Sequence, residues 1–181
     1  MGADPVIELA SREEIPEIVE MLKECGERIS PGLRDELSRS TVLVAKVGGR
    51  IVGTRSYTKT RGRFYHVHTL FVRPEYRRRG LGEMLCREAQ RLMYKEGAEG
   101  YFGEARSEEM AQYYVRTLGV RIHRLSFRGW RSGAVPYFKT FTQAGFIDSL
   151  ALAARRFLLY WMKKRLVGRF AEAVARRIEV R

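Results

Sequence analysis

The residues best suited to chemistry lie between positions 72 and 82, where a cluster of arginines precedes two glycines, Gly80 and Gly82. Glycine has no Cβ, so the backbone at these positions can approach a ligand closely. If a helix begins here, the N–H groups of its first turn have no intrahelical acceptor, and the helix dipole favours negative charge. The segment therefore predicts a binding site for an anionic group such as a diphosphate.

The sequence on both sides of this loop supplies the elements that must position it. Residues 64–72 are rich in aromatic and β-branched side chains, which predicts a strand, and Pro74 ends it because proline lacks an N–H donor. Apolar residues then recur at helical spacing as far as Gly97: Leu81, Leu85, Ala89, Leu92 and Met93. The pattern is that of a strand, an anion-binding loop and a helix.

The spacing Arg77-x-x-Gly80-x-Gly82 resembles the acyl-CoA-binding signature of the GNAT superfamily of N-acetyltransferases, which reads Arg/Gln-x-x-Gly-x-Gly/Ala. No Gly-Lys-Ser/Thr follows, as a P-loop requires, and the third glycine of a dinucleotide fingerprint is missing. The resemblance covers residues 5–142. It implies an α/β (α+β) fold with a mixed, mostly antiparallel sheet, one splayed parallel strand pair and flanking helices. It also implies acetyl-CoA as co-substrate.

The order of predicted elements agrees with that fold. A strand at 6–9 precedes a helix with the capping box Ser11-x-x-Glu14, and a shorter helix is expected within 31–40. Two β-rich runs, 41–47 and 50–57, flank a two-glycine turn and predict a hairpin that continues through a turn at 58–62 into the strand at 64–72. The remaining elements are a strand at 101–105, a helix at 107–118 and two strands at 120–127 and 135–142.

The resemblance also assigns the coenzyme contacts. Backbone N–H groups of the loop would hold the diphosphate, helped by one or two of its arginine side chains. The residues assigned to this role are Arg77, Arg78, Arg79, Gly80, Leu81 and Gly82. The pantetheine arm would pair with the bulged strand at Leu70, Phe71 and Val72, because a bulge leaves backbone groups unpaired. One such N–H would polarise the thioester carbonyl as an oxyanion donor.

Acetyl transfer to an amine requires a base, since an ammonium group with a pKa near ~10.4 has no lone pair with which to attack. The position at which histone-acetylating members carry a glutamate falls on His66, and an imidazole with a pKa near ~6.5 accepts protons at neutral pH. His68 shares its face of the strand. Glu104 is the alternative base, acting through water. A structural histidine within the sheet is the competing interpretation.

The departing CoA thiolate is helped by an acid. The family commonly places a tyrosine four residues before the glycine that ends the helix, and here that place is Val115, counted from Gly119. Tyr114 stands one residue earlier and is the candidate acid, with packing in the core as the alternative. In the family, the first two helices border the acceptor pocket. Acidic residues there would meet a cationic acceptor or form a solvated face: Glu24, Glu27, Asp35 and Glu36.

Composition limits the remaining possibilities. The chain of 181 residues carries a net charge of +13, which attracts CoA, nucleic acid and acidic membrane surfaces alike. Two cysteines do not make a disulfide framework, and the first residues do not resemble a secretory leader, so a cytoplasmic location is expected. No Cys/His/carboxylate cluster has metal-ligand spacing, so no metal is expected.

Residues 143–181 exceed what the family fold requires, so we divide the chain into an acetyltransferase domain at 1–142 and a basic helical extension at 143–181. The extension holds nine Lys/Arg against three acidic residues and is apolar on nearly every predicted helical face. It either packs on the domain or a second subunit, or lies on a membrane surface. A different function, nucleic-acid binding, is suggested by the basic extension and by aromatic and arginine residues interleaved at 121–131. A fold that binds acyl-CoA without catalysis is the third alternative.

Overall fold

The computed structural model describes residues 3–60, 62–122 and 134–142. This part of the chain forms one seven-stranded sheet in the order β1-β2-β3-β4-β5-β7-β6. The strands are β1 Val6–Leu9, β2 Thr41–Val47, β3 Arg50–Lys59, β4 Phe64–Val72, β5 Gly100–Ala105, β6 Arg121–Ile122 and β7 Val135–Thr140. The helices are α1 Ile15–Glu24, α2 Leu33–Ser38, α3 Leu81–Lys95 and α4 Glu108–Leu118.

Local sequence signals account for these boundaries. The capping box is present, because the Ser11 N–H donates to the Glu14 carboxylate at 2.8 Å, and it starts the 3-10 turn that leads into α1. Ser107 caps α4 by accepting from the Met110 N–H, and Gly119 ends that helix in the left-handed conformation. The predicted meander of β2, β3 and β4 is confirmed. The turn predicted to begin at residue 58 is wrong at its start, because β3 continues to Lys59.

Strand β4 contains a bulge at Thr69. Arg55 of β3 lies opposite Leu70, but the next residue, Ser56, lies opposite His68, so Thr69 has no partner in the register. Its φ of 38° is in the left-handed region, as expected of an irregular position. Because of the extra residue, side chains at odd positions before the bulge and at even positions after it point to the same face of the sheet.

Two cores cover the two faces of the sheet. Helices α3 and α4 cover the larger core, to which β4 contributes Tyr65 and Val67 before the bulge and Leu70 and Val72 after it. Helices α1 and α2 cover the other core, which takes Phe71 from β4. The bulge thus changes which residues of β4 face each pair of helices.

Strands β4 and β5 form the predicted parallel pair, and their pairing is short. Only three residues of β4 form pairs with β5, and the last of these pairs is His66 with Phe102. Both strands continue beyond that point. The splayed parallel pair implied by the sequence is therefore confirmed. The cleft between the separated strands opens toward their carboxyl ends, where the 72–82 loop begins.

Several expectations fall outside the described residues. These are most of the strand expected at 120–127, the loop that follows it, and the whole extension at 143–181 with its division from the first domain. The segment at 121–131 that suggested nucleic-acid binding is described only at Arg121 and Ile122. Within the described ranges, no helix is long and apolar enough to span a bilayer.

Candidate active site

The loop between β4 and α3 is shaped by its proline and its glycine. Pro74–Tyr76 forms a 3-10 turn directly after the strand. Gly80 then stands at the N-cap of α3 with φ 78°, a left-handed conformation that costs glycine little and other residues more. This turn redirects the chain, so the first turn of α3 begins at the open end of the β4–β5 cleft.

The backbone amides of this loop are available to a ligand. The Arg77 N–H already donates to the Pro74 carbonyl at 3.2 Å, so the series of available groups begins one residue later than the sequence predicted. For the N–H groups of residues 78–83, the described part of the chain provides no hydrogen-bond acceptor. Several converging donors at a helix N-terminus form an anion-binding site.

The arginines of the loop divide into two groups. Arg73 is buried and turned inward, where its guanidinium contacts the Glu24 carboxylate at 2.9 Å and the Ile51 carbonyl at 3.2 Å. Residues 77–79 are exposed. Arg77 donates from Nε to the Val72 carbonyl at 3.0 Å, and its guanidinium lies over the Phe71 ring. Arg73 therefore joins β4 to α1, while the exposed arginines can reach a bound anion.

The second glycine leaves space above the strand. A Cβ added to Gly82 would lie 3.9 Å from the Val72 methyl carbon Cγ2, an ordinary van der Waals distance. Packing within the free protein therefore does not require glycine at this position. The presence of glycine at position 82 is explained if a ligand must approach the backbone closely there.

The bulged part of β4 supplies the other candidate coenzyme contacts. Leu70, Phe71 and Val72 pair with β3 on one side only, because pairing with β5 ends at His66. The Val72 carbonyl accepts from Arg77 Nε, and the other backbone groups on the β5 side face the cleft between the separated strands. An extended ligand can pair with such a strand edge as another strand would.

The two histidines of β4 lie on the face covered by α1 and α2. The rings of His66 and His68 stack with centroids 5.4 Å apart, and the His66 ring also stacks on the Phe102 ring with centroids 5.1 Å apart. Nδ1 of His68 lies 2.8 Å from a Glu36 carboxylate oxygen and 3.0 Å from the Ser56 hydroxyl. His68 Nε2 lies 2.9 Å from the Thr58 hydroxyl. This arrangement fixes the His68 ring and provides a rigid surface for His66.

Burial lowers the pKa of His68 to about 4, and the positive charge of Arg55 adds to this effect. The Glu36 carboxylate acts in the opposite direction because it stabilises an imidazolium. Its side chain is 48% exposed, however, whereas that of His68 is 11% exposed. Burial therefore dominates, and His68 is neutral at pH 7.

A family model described as "Acetyltransferase (GNAT) family" matches residues 7–120. The chain belongs to the GNAT acetyltransferase family. The match includes the whole strand–loop–helix unit and both splayed strands, which are the elements whose geometry forms the cleft. Members of this family are acyltransferases that bind acetyl-CoA and an acceptor. No curated protein sequence matches the chain significantly.

Solved structures with this GNAT fold cover about three quarters of the chain. An IAA acetyltransferase from Bacillus cereus is 19% identical, covers 76% of this chain and 100% of its own, and superposes with a TM-score of 0.64. An acetyltransferase from Bacillus subtilis in complex with CoA is 20% identical, covers 77% and 100%, and has a TM-score of 0.61. The ribosomal-protein-S18-alanine N-acetyltransferase from Escherichia coli is 14% identical, covers 77% and 96%, and has a TM-score of 0.63. At these identities the similarity shows the fold alone.

The residues predicted to be catalytic lie on both sides of the GNAT cleft. His66 shares the α1/α2 face with His68, whereas Tyr114 packs in the core under α3 and α4. Glu104 lies on β5 beyond the last β4–β5 pair and opposite Pro136 of β7. The described structure therefore places His66 and Tyr114 on opposite faces of the sheet, with the splayed strands between them.

Tyr114 and Tyr137 are both enclosed in the core under α3 and α4, with exposed fractions of 5% and 2%. The Tyr114 ring meets the edge of the Tyr137 ring with centroids 5.1 Å apart. Burial raises the pKa of Tyr114, and the neighbouring Tyr137 adds to this effect. The hydroxyl is consequently protonated at neutral pH, as a proton donor must be.

Two buried residues next to the cleft were not singled out by the sequence, Arg55 of β3 and Tyr137 of β7. The Arg55 guanidinium donates to the Tyr137 hydroxyl at 3.2 Å. An arginine in the middle of the β-rich run at 50–57 is a signal that sequence reasoning could have used. Its partner, 82 residues later in the chain, could not be found without the sheet order.

Metal-ligating residues do not cluster in the part of the chain that the structure describes. Across the ranges 3–60, 62–122 and 134–142, no group of three or more His, Cys, Asp or Glu side chains could hold a metal ion. Both cysteines are free thiols, and burial raises the pKa of Cys86. Cys86 therefore remains a protonated packing residue, as its place on α3 suggests.

Proposed function

We propose that this protein is an N-acetyltransferase that transfers the acetyl group of acetyl-CoA directly to a primary amine of a peptide, a protein or a small molecule. The single observation that carries this proposal is the loop at 78–83, whose available N–H groups stand at the open end of the β4–β5 cleft. Membership of the GNAT family and the fold shared with a CoA-bound acetyltransferase support it.

In the proposed complex, the diphosphate of the coenzyme binds at the N-terminus of α3. The N–H groups of residues 78–82 donate to phosphate oxygens, and the exposed side chains of Arg77, Arg78 and Arg79 add charge-assisted hydrogen bonds. This site needs no metal to neutralise the diphosphate, because three guanidinium groups and the helix dipole supply positive potential.

The pantetheine arm pairs with the β5-facing edge of Leu70, Phe71 and Val72. The first N–H after the Thr69 bulge belongs to Leu70, and it is the proposed donor to the thioester carbonyl. Such a donor stabilises the oxyanion of the tetrahedral intermediate, and removing one typically costs about 10² to 10³ in turnover. The bulge thus positions the reacting carbonyl.

His66 is the proposed base that removes the proton from the acceptor ammonium. It lies at the point where β4 and β5 separate, and the stacked rings of His68 and Phe102 fix its orientation. Glu104 is the alternative base, placed on the opposite strand of the cleft. Tyr114 is the acid proposed from the sequence for the departing thiolate.

We place the acceptor on the side of α1 and α2. Two of the acidic residues proposed to meet a cationic acceptor already have partners, since Glu27 forms a bidentate pair with Arg106 at 2.9 and 2.7 Å and Glu24 binds Arg73. The Glu36 carboxylate pairs only with the neutral His68 ring in the described structure, beside the proposed base, and 48% of its side chain is exposed. It has no cationic partner there, so it is the acidic group that we propose for an ammonium.

We also place the catalytic domain at residues 1–142 and the protein in the cytoplasm, and we propose that the basic extension at 143–181 packs on this domain or on a second subunit. The family match at 7–120 supports the first of these assignments. The composition of the extension supports the last, and the free cysteines favour a reducing compartment.

An acetylation screen tests the proposed activity. The full-length protein is incubated with acetyl-CoA and a library of small amines, polyamines and peptides with free N-termini or lysines, and released CoA thiol is measured. Amine-dependent thiol release that Gly82→Leu abolishes supports the proposal. Binding of CoA without thiol release across peptide and small-molecule amines would favour a protein that binds acyl-CoA but does not catalyse transfer.

A further inference from the structure

The guanidinium of Arg55 is buried without a carboxylate partner. Arg55 is 4% exposed, and none of the ion pairs in the described part of the chain includes it. Its Nη2 group donates to the Tyr137 hydroxyl, and within the same part of the chain Nε has no hydrogen-bond partner. A buried charge without a counter-ion is costly, so an anion that binds or forms beside it would explain why it is there.

Arg55 lies beside the reacting end of the proposed coenzyme site. Its register partner on β4 is Leu70, the residue that follows the Thr69 bulge. Its side chain points to the face of α3 and α4, where Cys86, Tyr114 and Tyr137 contribute to its electrostatic environment. Arg55 therefore starts beside the residue whose N–H would polarise the thioester, and its guanidinium reaches Tyr137 on the α3/α4 face.

The Tyr137 hydroxyl lies between the two splayed strands. Tyr137 is opposite Gly103 in the register of β5 and β7. A Cβ added to Gly103 would meet the Tyr137 hydroxyl at 2.8 Å and the Val67 carbonyl oxygen of β4 at 2.9 Å. The hydroxyl thus lies where β4 and β5 begin to separate, one residue beyond their last pair. Only glycine at position 103 leaves this space.

The proton of the Tyr137 hydroxyl is available. The oxygen accepts from Arg55, and the described residues provide no acceptor for its O–H group. A phenol held in this way donates to whatever enters the cleft, and the guanidinium stabilises the phenolate that remains after donation. The Arg55–Tyr137 pair therefore has the properties of a proton donor with a fixed counter-ion.

We propose that Tyr137 gives the proton to the CoA thiolate as it leaves, and that Arg55 stabilises the negative charge during this step. The inference rests on the proposed acetyl transfer. When the tetrahedral intermediate collapses, the C–S bond breaks and its electron pair goes to sulfur. The proton moves from the Tyr137 oxygen to sulfur, and the new C–N bond remains in the amide. The nitrogen, which carries one extra proton after its attack, loses that proton to water, so the proton gained by sulfur is balanced. The resulting phenolate faces Arg55 until water returns the proton.

This assignment accounts for the unusual position of the helix tyrosine. The place at which the family commonly carries its acid is Val115, and Tyr114 beside it is turned into the core against Tyr137. Tyr137 approaches the cleft from β7 instead, on the same face of the sheet. The edge-on contact of the two rings fixes the Tyr137 ring, which gives Tyr114 a positioning role.

Ionisation of the thiol of bound CoA tests this proposal without requiring an acceptor amine. The full chain is titrated with pH in complex with CoA or with desulfo-CoA, and the difference in thiolate absorbance gives the ionisation midpoint of the bound thiol. We expect a midpoint at least about one pH unit below that of free CoA, because an opposite charge within a few ångströms shifts a pKa by about 1–3 units. Arg55→Met and Tyr137→Phe should each move it back by about one unit.

Kinetics of acetyl transfer provide the second measurement, with an amine accepted in the library screen as probe. Tyr137→Phe should lower kcat by about 10²-fold, the usual contribution of a positioned acid, with a smaller change in KM. Tyr101→Phe is the matched control, since it removes another buried hydroxyl of the same core, one bonded to Gln90 at 2.7 Å, and should leave kcat within about threefold. Circular dichroism confirms that each variant is folded.

The outcomes separate this inference from the proposed function. If CoA does not bind the wild-type protein, the proposed function fails. If CoA binds but neither variant changes the ionisation midpoint, or if Tyr114→Phe lowers kcat and Tyr137→Phe does not, the role of Tyr137 is refuted. A strong preference for a succinyl over an acetyl thioester that disappears in Arg55→Met would also refute it, because Arg55 would then bind a substrate carboxylate.

Discussion

Nδ1 of His68 on the central strand lies 2.8 Å from a carboxylate oxygen of Glu36, which α2 places over the sheet. The contact joins the helix that borders the proposed acceptor site to the strand that carries the proposed base. Because His68 also stacks on His66, a change in the charge at Glu36 reaches His66 through a single intervening ring. The contact thus places the proposed acceptor side one ring away from the proposed base.

The low pKa of His68 predicts that the folded protein loses stability in mild acid. Its pKa is about 4 in the folded state and 6.5 ordinarily, so the unfolded chain binds the proton first as the pH falls. The free energy of unfolding should therefore decrease from pH 6.5 to about pH 4, by up to about 1.4 kcal/mol per pH unit, and not change further through this group below that range. Urea unfolding at a series of pH values measures this dependence.

The variant His68→Gln serves as the control for this pH dependence, since glutamine does not titrate and can still bind hydroxyl groups. Its free energy of unfolding should be flatter between pH 4 and pH 6.5 than that of the wild-type protein. Equal slopes in the two proteins would show that other groups cause the acid sensitivity.

Enlarging the second glycine of the loop should separate stability from coenzyme binding. In Gly82→Leu the new Cβ fits beside Val72, and leucine favours a helix more than glycine by up to about 1 kcal/mol, so the melting temperature should stay the same or rise. The side chain would occupy the space that the diphosphate needs, so the affinity for CoA should fall at least tenfold. Calorimetric titration with CoA measures the affinity.

Gly32→Leu is the control for this variant, because Gly32 also lies at the N-terminal end of a helix and has open space around its Cβ position, but belongs to α2 instead of α3. Its affinity for CoA should match that of the wild-type protein. An unchanged affinity in Gly82→Leu would mean that the coenzyme binds elsewhere.

Neighbouring arginines of the same loop should have different roles. Arg73→Met removes a buried guanidinium and leaves the Ile51 carbonyl and Glu24 without their partner, which should lower the free energy of unfolding by about 1–3 kcal/mol. Arg78→Met should leave stability within about 0.5 kcal/mol but weaken CoA binding, and the loss should shrink as salt increases. Chemical unfolding and CoA titrations at two salt concentrations distinguish the roles. If Arg73→Met and Arg78→Met weakened CoA binding equally, the assignment of a structural role to Arg73 and a binding role to Arg78 would be contradicted.

The choice between the two candidate bases can be made from pH profiles. His66→Gln should lower kcat by about 10² to 10⁴ and remove the acidic limb of the profile, because the positioned base is lost. Under the same assignment Glu104→Gln should change kcat only a few-fold. The opposite result, with the acidic limb lost only in Glu104→Gln, would make Glu104 the base. The acceptor amine is the same for both variants, so the comparison is direct.

The sequence was most informative where structure depends on neighbouring residues. The anion-binding loop was predictable because Pro74, Gly80 and the apolar spacing of α3 act locally, and the splayed strand pair followed from the family resemblance. The pairing of Arg55 with Tyr137 was not predictable, since it requires both the sheet order and the Thr69 bulge, which changes the faces to which β4 side chains point. The burial of His68 likewise depends on Glu36 and Ser40, which a separate helix and its end bring to the strand.

Titration of the 15N-labelled full chain with CoA, followed by amide NMR, tests the account most directly. The backbone amide signals of residues 78–83 should show the largest shifts, those of residues 70–72 should follow, and all should saturate together at one equivalent. Desulfo-CoA should shift the same amides, whereas adenosine without phosphates should not. Saturable binding that leaves the signals of residues 78–83 unchanged, or no binding at millimolar CoA, would contradict the claim that this loop binds the coenzyme diphosphate.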